Sequence, residues 1–182
     1  SGKTTLLNIM SGLLKPTSGT VFVEGSDIYS LSTSERDDIR LNRIGMIFQE
    51  HSLIVDFTVR ENVELILRVR GFGSRSRVMA IEALERVGIA HLQDRYPRQL
   101  SGGEAQRVGI ARAIAGDRPI LLADEPTGQL DRRNSQMVFE LLRALAEDEK
   151  GRTVVLSSHD PTAKEYAHRY CELVDGHLED FC

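Results

Sequence analysis

Leu100-Ser101-Gly102-Gly103-Glu104-Ala105-Gln106-Arg107 is followed, seventeen residues after Arg107, by Asp124-Glu125 at the end of the apolar run Ile120-Leu121-Leu122-Ala123. A Ser-Gly-Gly that opens a helix presents unblocked backbone N–H groups at the positive end of the helix dipole, where a phosphate is stabilised. An acidic pair closing a strand supplies what a nucleotide's metal and an attacking water require. Each half also has a plainer reading. Ser101 to Glu104 has the spacing of a capping box, which two other segments share, and paired acids at a strand end are commonly just solvated. The adjacent glycines tip the balance, since each costs a helix roughly 1 kcal/mol and so calls for a reason. The acids gain weight from the wholly apolar run that they close.

That run has two counterparts, Ile44-Gly45-Met46-Ile47-Phe48 and Val154-Val155-Leu156. Short, unalternating apolar runs suit strands covered on both faces. A helical pattern from Arg132 to about Glu149, with Asp131 as its N-cap, separates the last two runs. Strand, helix, strand implies a right-handed crossover and a parallel sheet. The three runs lead into Gln49, Asp124-Glu125 and, after Ser157-Ser158, His159. Ligands of parallel α/β sheets bind off the carboxyl ends of the strands, so these residues are expected at one site.

The remaining elements follow from periodicity and end signals. Residues 3–14 read as a helix with Leu6, Leu7, Ile9, Met10 and Leu13 apolar, ended by Lys15-Pro16. Thr20 to Glu24 alternates as a strand closed by Gly25. Ser32-Thr33-Ser34-Glu35 and Thr58-Val59-Arg60-Glu61 are capping boxes, opening helices toward Arg43 and over Asn62 to Arg70, the second ended by Gly71. Val78 to Val87 is apolar at every third position and stops at Gly88, and the helix from Ser101 runs to about Ala115. Residues 50–116 are thus mainly helical, between flanks that carry the strands.

Composition bounds the function. With 182 residues, 41% of them apolar, the chain can bury one substantial core. A net charge of −4 and a pI near 5.8 argue against direct nucleic-acid binding, which calls for a basic patch or stripe. No apolar stretch approaches the roughly 20 residues that span a bilayer, so a membrane role is expected to come through a partner. Cys171, expected buried on a strand, and Cys182, at a frayed end, lack metal-ligand spacing and suit a reducing cytosol.

The chain opens on Ser1-Gly2-Lys3-Thr4-Thr5, the tail of G-x-x-x-x-G-K-[ST], in which loop amides cradle phosphates, lysine reaches the outer phosphates and the hydroxyl holds magnesium. Starting inside that motif, it reads as truncated at its N-terminus. Gly-Lys-Thr by itself is common by chance, a lone histidine before Asp160-Pro161 is commonly a cap, and a single Gln49 is commonly a surface residue. Their order and shared sheet edge lift each above that reading.

Together these residues resemble the nucleotide-binding domain of ABC transporters, through nearly the whole chain. Gly2-Lys3-Thr4-Thr5 is similar to the end of the Walker A loop, Gln49 to the Q-loop glutamine, and Leu100 to Glu104 to the LSGGE signature without a change. Ile120 to Asp124 resembles Walker B with Glu125 as the following glutamate, Gly128-Gln129-Leu130-Asp131 the D-loop, and His159 the switch histidine. Leu122 to Gly128 with Leu130-Asp131, and Phe48-Gln49 with Arg60-Glu61-Asn62-Val63, look most like the lipoprotein-release, macrolide-export and cell-division group. Gln129 stands where that group has asparagine and Ser158 where it has threonine.

The resemblance implies an α/β P-loop NTPase fold: a mainly parallel sheet core (residues 1–49 and 117–182), an inserted helical subdomain (about 50–116) and antiparallel edge strands. It implies ATP and Mg²⁺, with Ser1, Gly2, Lys3, Thr4 and Thr5 on the phosphates, and Thr4, Gln49 and Asp124 at the metal. Glu125, His159 and Gln49 would be catalytic. Ser101, Gly102, Gly103 and Glu104, with Asp131 near the seam, would face the ATP of a second copy in a head-to-tail homodimer. A membrane permease would dock near Gln49 and residues 50–70, placing the chain on the cytoplasmic face of the inner membrane. The first Walker A glycine, further strands and the aromatic that stacks on adenine are expected upstream of Ser1, so the 182-residue piece is expected to bind ATP poorly. Alternatives are a soluble ABC ATPase of non-transport function, an ATPase regulating a cell-division or cell-wall complex, or a scaffolding pseudo-ATPase.

Overall fold

The computed structural model describes residues 2–181; Ser1 and Cys182, for which a phosphate contact and a frayed end were expected, lie outside the described residues. A central parallel sheet has strand order β3-β4-β5, formed by Ile44–Ile47, Ile120–Asp124 and Thr153–Ser157. All three are the apolar runs picked out by lack of alternation. The register pairs Ile44 with Ile120 and Asp124 with Ser157, so the carboxyl ends of β4 and β5 come out side by side.

Both faces of this sheet are covered. Leu7 of α1 (Lys3–Met10) packs with Ile44 and Leu122, with Ile39 of α2 (Thr33–Arg43) completing that layer. On the other face, Leu121 and Ala123 join a larger core with α3 (Val59–Val69), α4 (Ser76–Arg86), α5 (Gly102–Ile114) and α6 (Arg132–Ala146). The helices between β3 and β4 therefore share one continuous apolar core with the sheet rather than standing apart from it.

Local chemistry sets the helix starts. Ser32, Thr58 and Ser101 all form complete capping boxes with Glu35, Glu61 and Glu104, and the Asp131 side chain accepts from the Asn134 N–H. Asn62, buried on α3, pins the preceding loop: its Oδ1 accepts from the Ile54 N–H at 2.7 Å, and its Nδ2 donates to the carbonyls of Ile54, Phe57 and Thr58.

The ends differ more from expectation. α1 stops at Met10 rather than Leu14, because Gly12 turns at φ +77°. The strand expected over Thr20–Glu24 is only β1 (Phe22–Val23), turned back through Glu24-Gly25, both at positive φ, onto β2 (Ser26–Asp27). α6 ends three residues early, at Ala146. After α7 (Ala163–Tyr166), β6 (Tyr170–Val174) and β7 (His177–Phe181) form a second antiparallel hairpin. Cys171 lies on that hairpin as a strand residue but is exposed, not buried, because β6 is mostly exposed along its length and only Leu173 is partly covered.

Gly45 on β3 marks the tightest contact between sheet and helix. A Cβ there would fall 2.3 Å from the Ala113 carbonyl oxygen and 2.8 Å from a Leu121 methyl. Backbone cannot move aside cheaply, so Gly45→Ala is expected to cost about 3 kcal/mol in chemical denaturation, at the upper end of overpacking effects.

Candidate functional site

The carboxyl ends of β4 and β5 meet the start of α1 around a cavity of about 220 Å³ lined by Gly2, Lys3, Thr4, Thr5, Asp124 and Glu125. Gly2 has φ +88°, which a side-chain-bearing residue adopts only under strain, and it feeds α1 with no side-chain cap. Every other helix of eight residues or more that begins directly after a loop is capped by Ser, Thr or Asp; α4 instead continues from the 3₁₀ turn Gly73–Arg75. Among the described residues, the first-turn N–H groups of α1 thus have no side-chain cap, and they stand at the positive end of the helix.

A charged knot crosses the cavity mouth. Lys3 Nζ lies 3.4 Å from Glu125 Oε1 and donates to the Ser158 carbonyl at 3.1 Å. Glu125 Oε2 in turn lies 2.7 Å from His159 Nδ1 and accepts the His159 backbone N–H at 3.1 Å. Glu125 itself is held at φ +46°, a left-handed conformation that costs a non-glycine residue on the order of 1–3 kcal/mol. Beside it, Asp124 Oδ1 accepts from the Ser157 hydroxyl at 2.7 Å. Lys3, Thr4, Thr5, Asp124, Glu125 and His159 are therefore brought together.

Gln49 stands at the same sheet edge but is not part of the cavity lining. Its amide packs over Gly128, where a Cβ would come within 2.7 Å of Nε2. The Ser101–Glu104 segment is also elsewhere. It packs on the start of α6: a Cβ on Gly102 would lie 3.4 Å from a Leu130 methyl, and one on Gly103 would fall 2.5 Å from Asn134 Oδ1. Asn134 donates to Asp131 Oδ2 at 2.6 Å, locking this contact. One reason for Gly103 is thus close packing within the chain. Ser101 and Gly102 remain exposed. The Ser101 N–H and hydroxyl both bond Glu104, which holds that carboxyl below the ordinary range.

Sequence reasoning missed several residues here. Ser157 was seen only as a step toward His159, although a polar residue ending an apolar strand was a usable signal. His51 and Arg112 gave none. Arg112 donates to the carbonyls of Ser52 (2.6 Å) and His51 (2.8 Å), two consecutive residues at positive φ. The half-buried His51 ring is held below its ordinary pKa by desolvation, against opposing hydrogen bonds to the backbone of Gly102 and Glu50.

An open helix N-terminus, a lysine ammonium and a glycine turn fit a polyphosphate, and a threonine hydroxyl beside an aspartate carboxylate fits a hard divalent cation. At the carboxyl edge of a parallel sheet, this defines a P-loop type nucleotide phosphatase site. The chain belongs to the ABC transporter family: the family model of that description matches residues 1–128. It is an ATP-binding and ATP-hydrolysing domain of that family.

Among relatives, it is 44% identical over 180 residues to the lipoprotein-releasing system ATP-binding protein LolD of Blochmanniella floridana, covering 98% of this chain and 76% of that protein. It is 43% identical over 187 residues to the uncharacterized ABC transporter ATP-binding protein MJ0796 of Methanocaldococcus jannaschii, covering 98% and 78%. Among solved structures, the dimeric post-hydrolysis state of MJ0796 bound to ADP and Pi matches with a TM-score of 0.86 at 39% identity, over 98% of this chain and 80% of that one. Among the described residues, no helix is long and apolar enough to cross a membrane.

His51 gives a pH test. Its folded pKa lies below the ordinary value of 6.5, so the unfolded chain binds more protons as pH falls past that value. That contribution to stability is full above 6.5 and declines below it. Urea midpoints are expected to fall between neutral and mildly acid pH, and to fall less in His51→Asn, which tolerates positive φ but does not titrate.

Proposed function

We propose that this chain is the ATPase subunit of a transporter whose membrane-spanning part is a separate protein, and that it works from the cytoplasmic face of the membrane. The observation that carries this reading is the Lys3–Glu125–His159 knot beside the uncapped start of α1. Gly2, Lys3, Thr4 and Thr5 hold the phosphates, helped by the first-turn N–H groups. Thr4, Asp124 and Gln49 are the candidate holders of Mg²⁺. When bound, that ion would supply neutralisation of the phosphate charge.

The residues of the chain then divide the remaining work. A phosphate competes with Glu125 for the Lys3 ammonium, which leaves the Glu125 carboxylate oriented by His159 alone. Freed of the lysine charge, Glu125 is the better acceptor for a proton from water. His159, exposed and backed by the same carboxylate, is placed at the outer rim to meet the terminal phosphate. Gln49, over Gly128 and at the start of the loop leading to α3, links the site to the surface offered to the membrane partner.

Ser101, Gly102, Gly103 and Glu104 serve a second copy. They are outside this chain's own cavity, and Ser101 and Gly102 are exposed on a segment locked by Asp131 and Asn134. An isologous pair places two such composite sites at one seam. The dimeric state of the MJ0796 structures supports this arrangement. The LolD similarity favours lipoprotein release or another extraction or export task for the complex. Within the chain, residues 50–116 act as the helical lobe and the flanks as the nucleotide-binding core.

In the full-length protein, Glu125→Gln is expected to lower ATP turnover at least about 100-fold while ATP binding persists. Phosphate release and equilibrium binding measured side by side check this; unchanged turnover would refute the role of Glu125. For the shared seam, dimers mixing one Ser101→Arg chain with one wild-type chain are expected to keep at most one competent site. Full activity in such mixed dimers would exclude it. Copurification with an integral membrane protein separates the transporter reading from a non-transport ATPase.

A further inference from the structure

We propose that Ser157 is a positioning residue for hydrolysis, fixing Asp124 and Glu125 together; this rests on the reading of those two acids given above. Ser157 closes β5 directly beside Asp124 in the parallel register, and it is buried. Its Oγ lies 2.7 Å from Asp124 Oδ1 and 3.2 Å from the Glu125 backbone nitrogen. The same Glu125 N–H also points to the Ser157 carbonyl at 3.1 Å, so residue 157 receives it twice.

The proton positions follow from chemistry. An ionised carboxylate has nothing to donate, and a backbone N–H can only donate. The single Ser157 hydroxyl hydrogen is therefore committed to Asp124, and an oxygen lone pair receives Glu125. Two consequences follow. Asp124 Oδ1 is tied down, which fixes the rotation of the carboxylate and leaves Oδ2 to face a cation. The Glu125 backbone, held at φ +46°, is anchored at its nitrogen, so the direction of its side chain toward Lys3 and His159 depends on the same hydroxyl. A hydroxyl bonded to a charged acceptor forms one of the stronger side-chain hydrogen bonds.

A serine that merely ended a strand would need no hydroxyl, and valine would serve as well or better in β structure. Threonine and valine are close in shape and differ in the hydroxyl, so Ser157→Thr and Ser157→Val isolate it. The test uses the full-length protein, with turnover, the Mg²⁺ concentration for half-maximal turnover, ATP binding in EDTA and melting temperature as readouts. Ser157→Val is expected to lower kcat about ten-fold and raise the Mg²⁺ requirement about five-fold, with ATP binding in EDTA unchanged. Ser157→Thr is expected to stay within about two-fold of wild type in both. Ser157→Ala provides a second hydroxyl-free variant should valine lower the melting temperature, and the same losses are expected from it.

Hydroxyl-free variants with wild-type kcat and Mg²⁺ requirement, beside an inactive Glu125→Gln, would overturn the role of Ser157 and leave the reading of Glu125 intact. A threonine variant as impaired as valine would also overturn it. Full turnover by Glu125→Gln would instead remove the reading on which the proposal stands.

Discussion

The in-register parallel pairing of β4 with β5 is the constraint on which the site depends. Matching Asp124 to Ser157 puts the last residues of a buried strand and a partly buried one side by side, and the chain then leaves both strands toward the same cavity. Leu121 and Ala123 on one face and Leu122 on the other are fully or almost fully buried, so the strand cannot slip by a residue without turning its apolar side chains to the wrong layers. The left-handed backbone of Glu125 is anchored at its N–H, which is bonded to both oxygens of Ser157. The packing of the core therefore fixes the geometry of two acids that sit at its edge.

Helix capping tells a complementary story. Replacing a Ser, Thr or Asp cap typically costs on the order of 1 kcal/mol, and this chain uses such caps at α2, α3, α5 and α6. At α1 it forgoes one, and the residue in the capping position is a glycine whose φ of +88° turns the chain past the cavity. The first-turn N–H groups there carry positive potential with no side-chain cap among the described residues, next to Lys3. A helix start that is less stable by itself is the right design where an anionic ligand is to supply the missing acceptors.

What could be read from the sequence follows the range of the interactions involved. The three capping boxes were legible because Ser or Thr and Glu lie three residues apart, and the central strands because burial on both faces removes alternation. The convergence of Lys3, Asp124, Glu125 and His159 was legible because parallel strands share a carboxyl edge. Cys171 was misjudged because its strand belongs to an exposed hairpin, which depends on what covers it and not on its own residues. The contact of Gly103 with Asn134, and the grip of Arg112 on His51 and Ser52, span 31 and roughly 60 residues of chain, and nothing local announces them.

Those long-range contacts join the loop after Gln49 to α5. Arg112 stands on the helix that Ser101 caps, and it grips the dipoles of the two carbonyls. His51 touches Gly102 from the other direction, and it lies two residues from Gln49. Two successive left-handed residues between Gln49 and that helix are costly unless the guanidinium holds them, at about 1–2 kcal/mol each. The loop and the helix start are therefore bound into one unit with a strained connection. The His51–Gly102 bond ties that loop to the start of α5, and Arg112 ties it to the last turn of the same helix, so the loop after Gln49 is fastened at both ends of one rigid element.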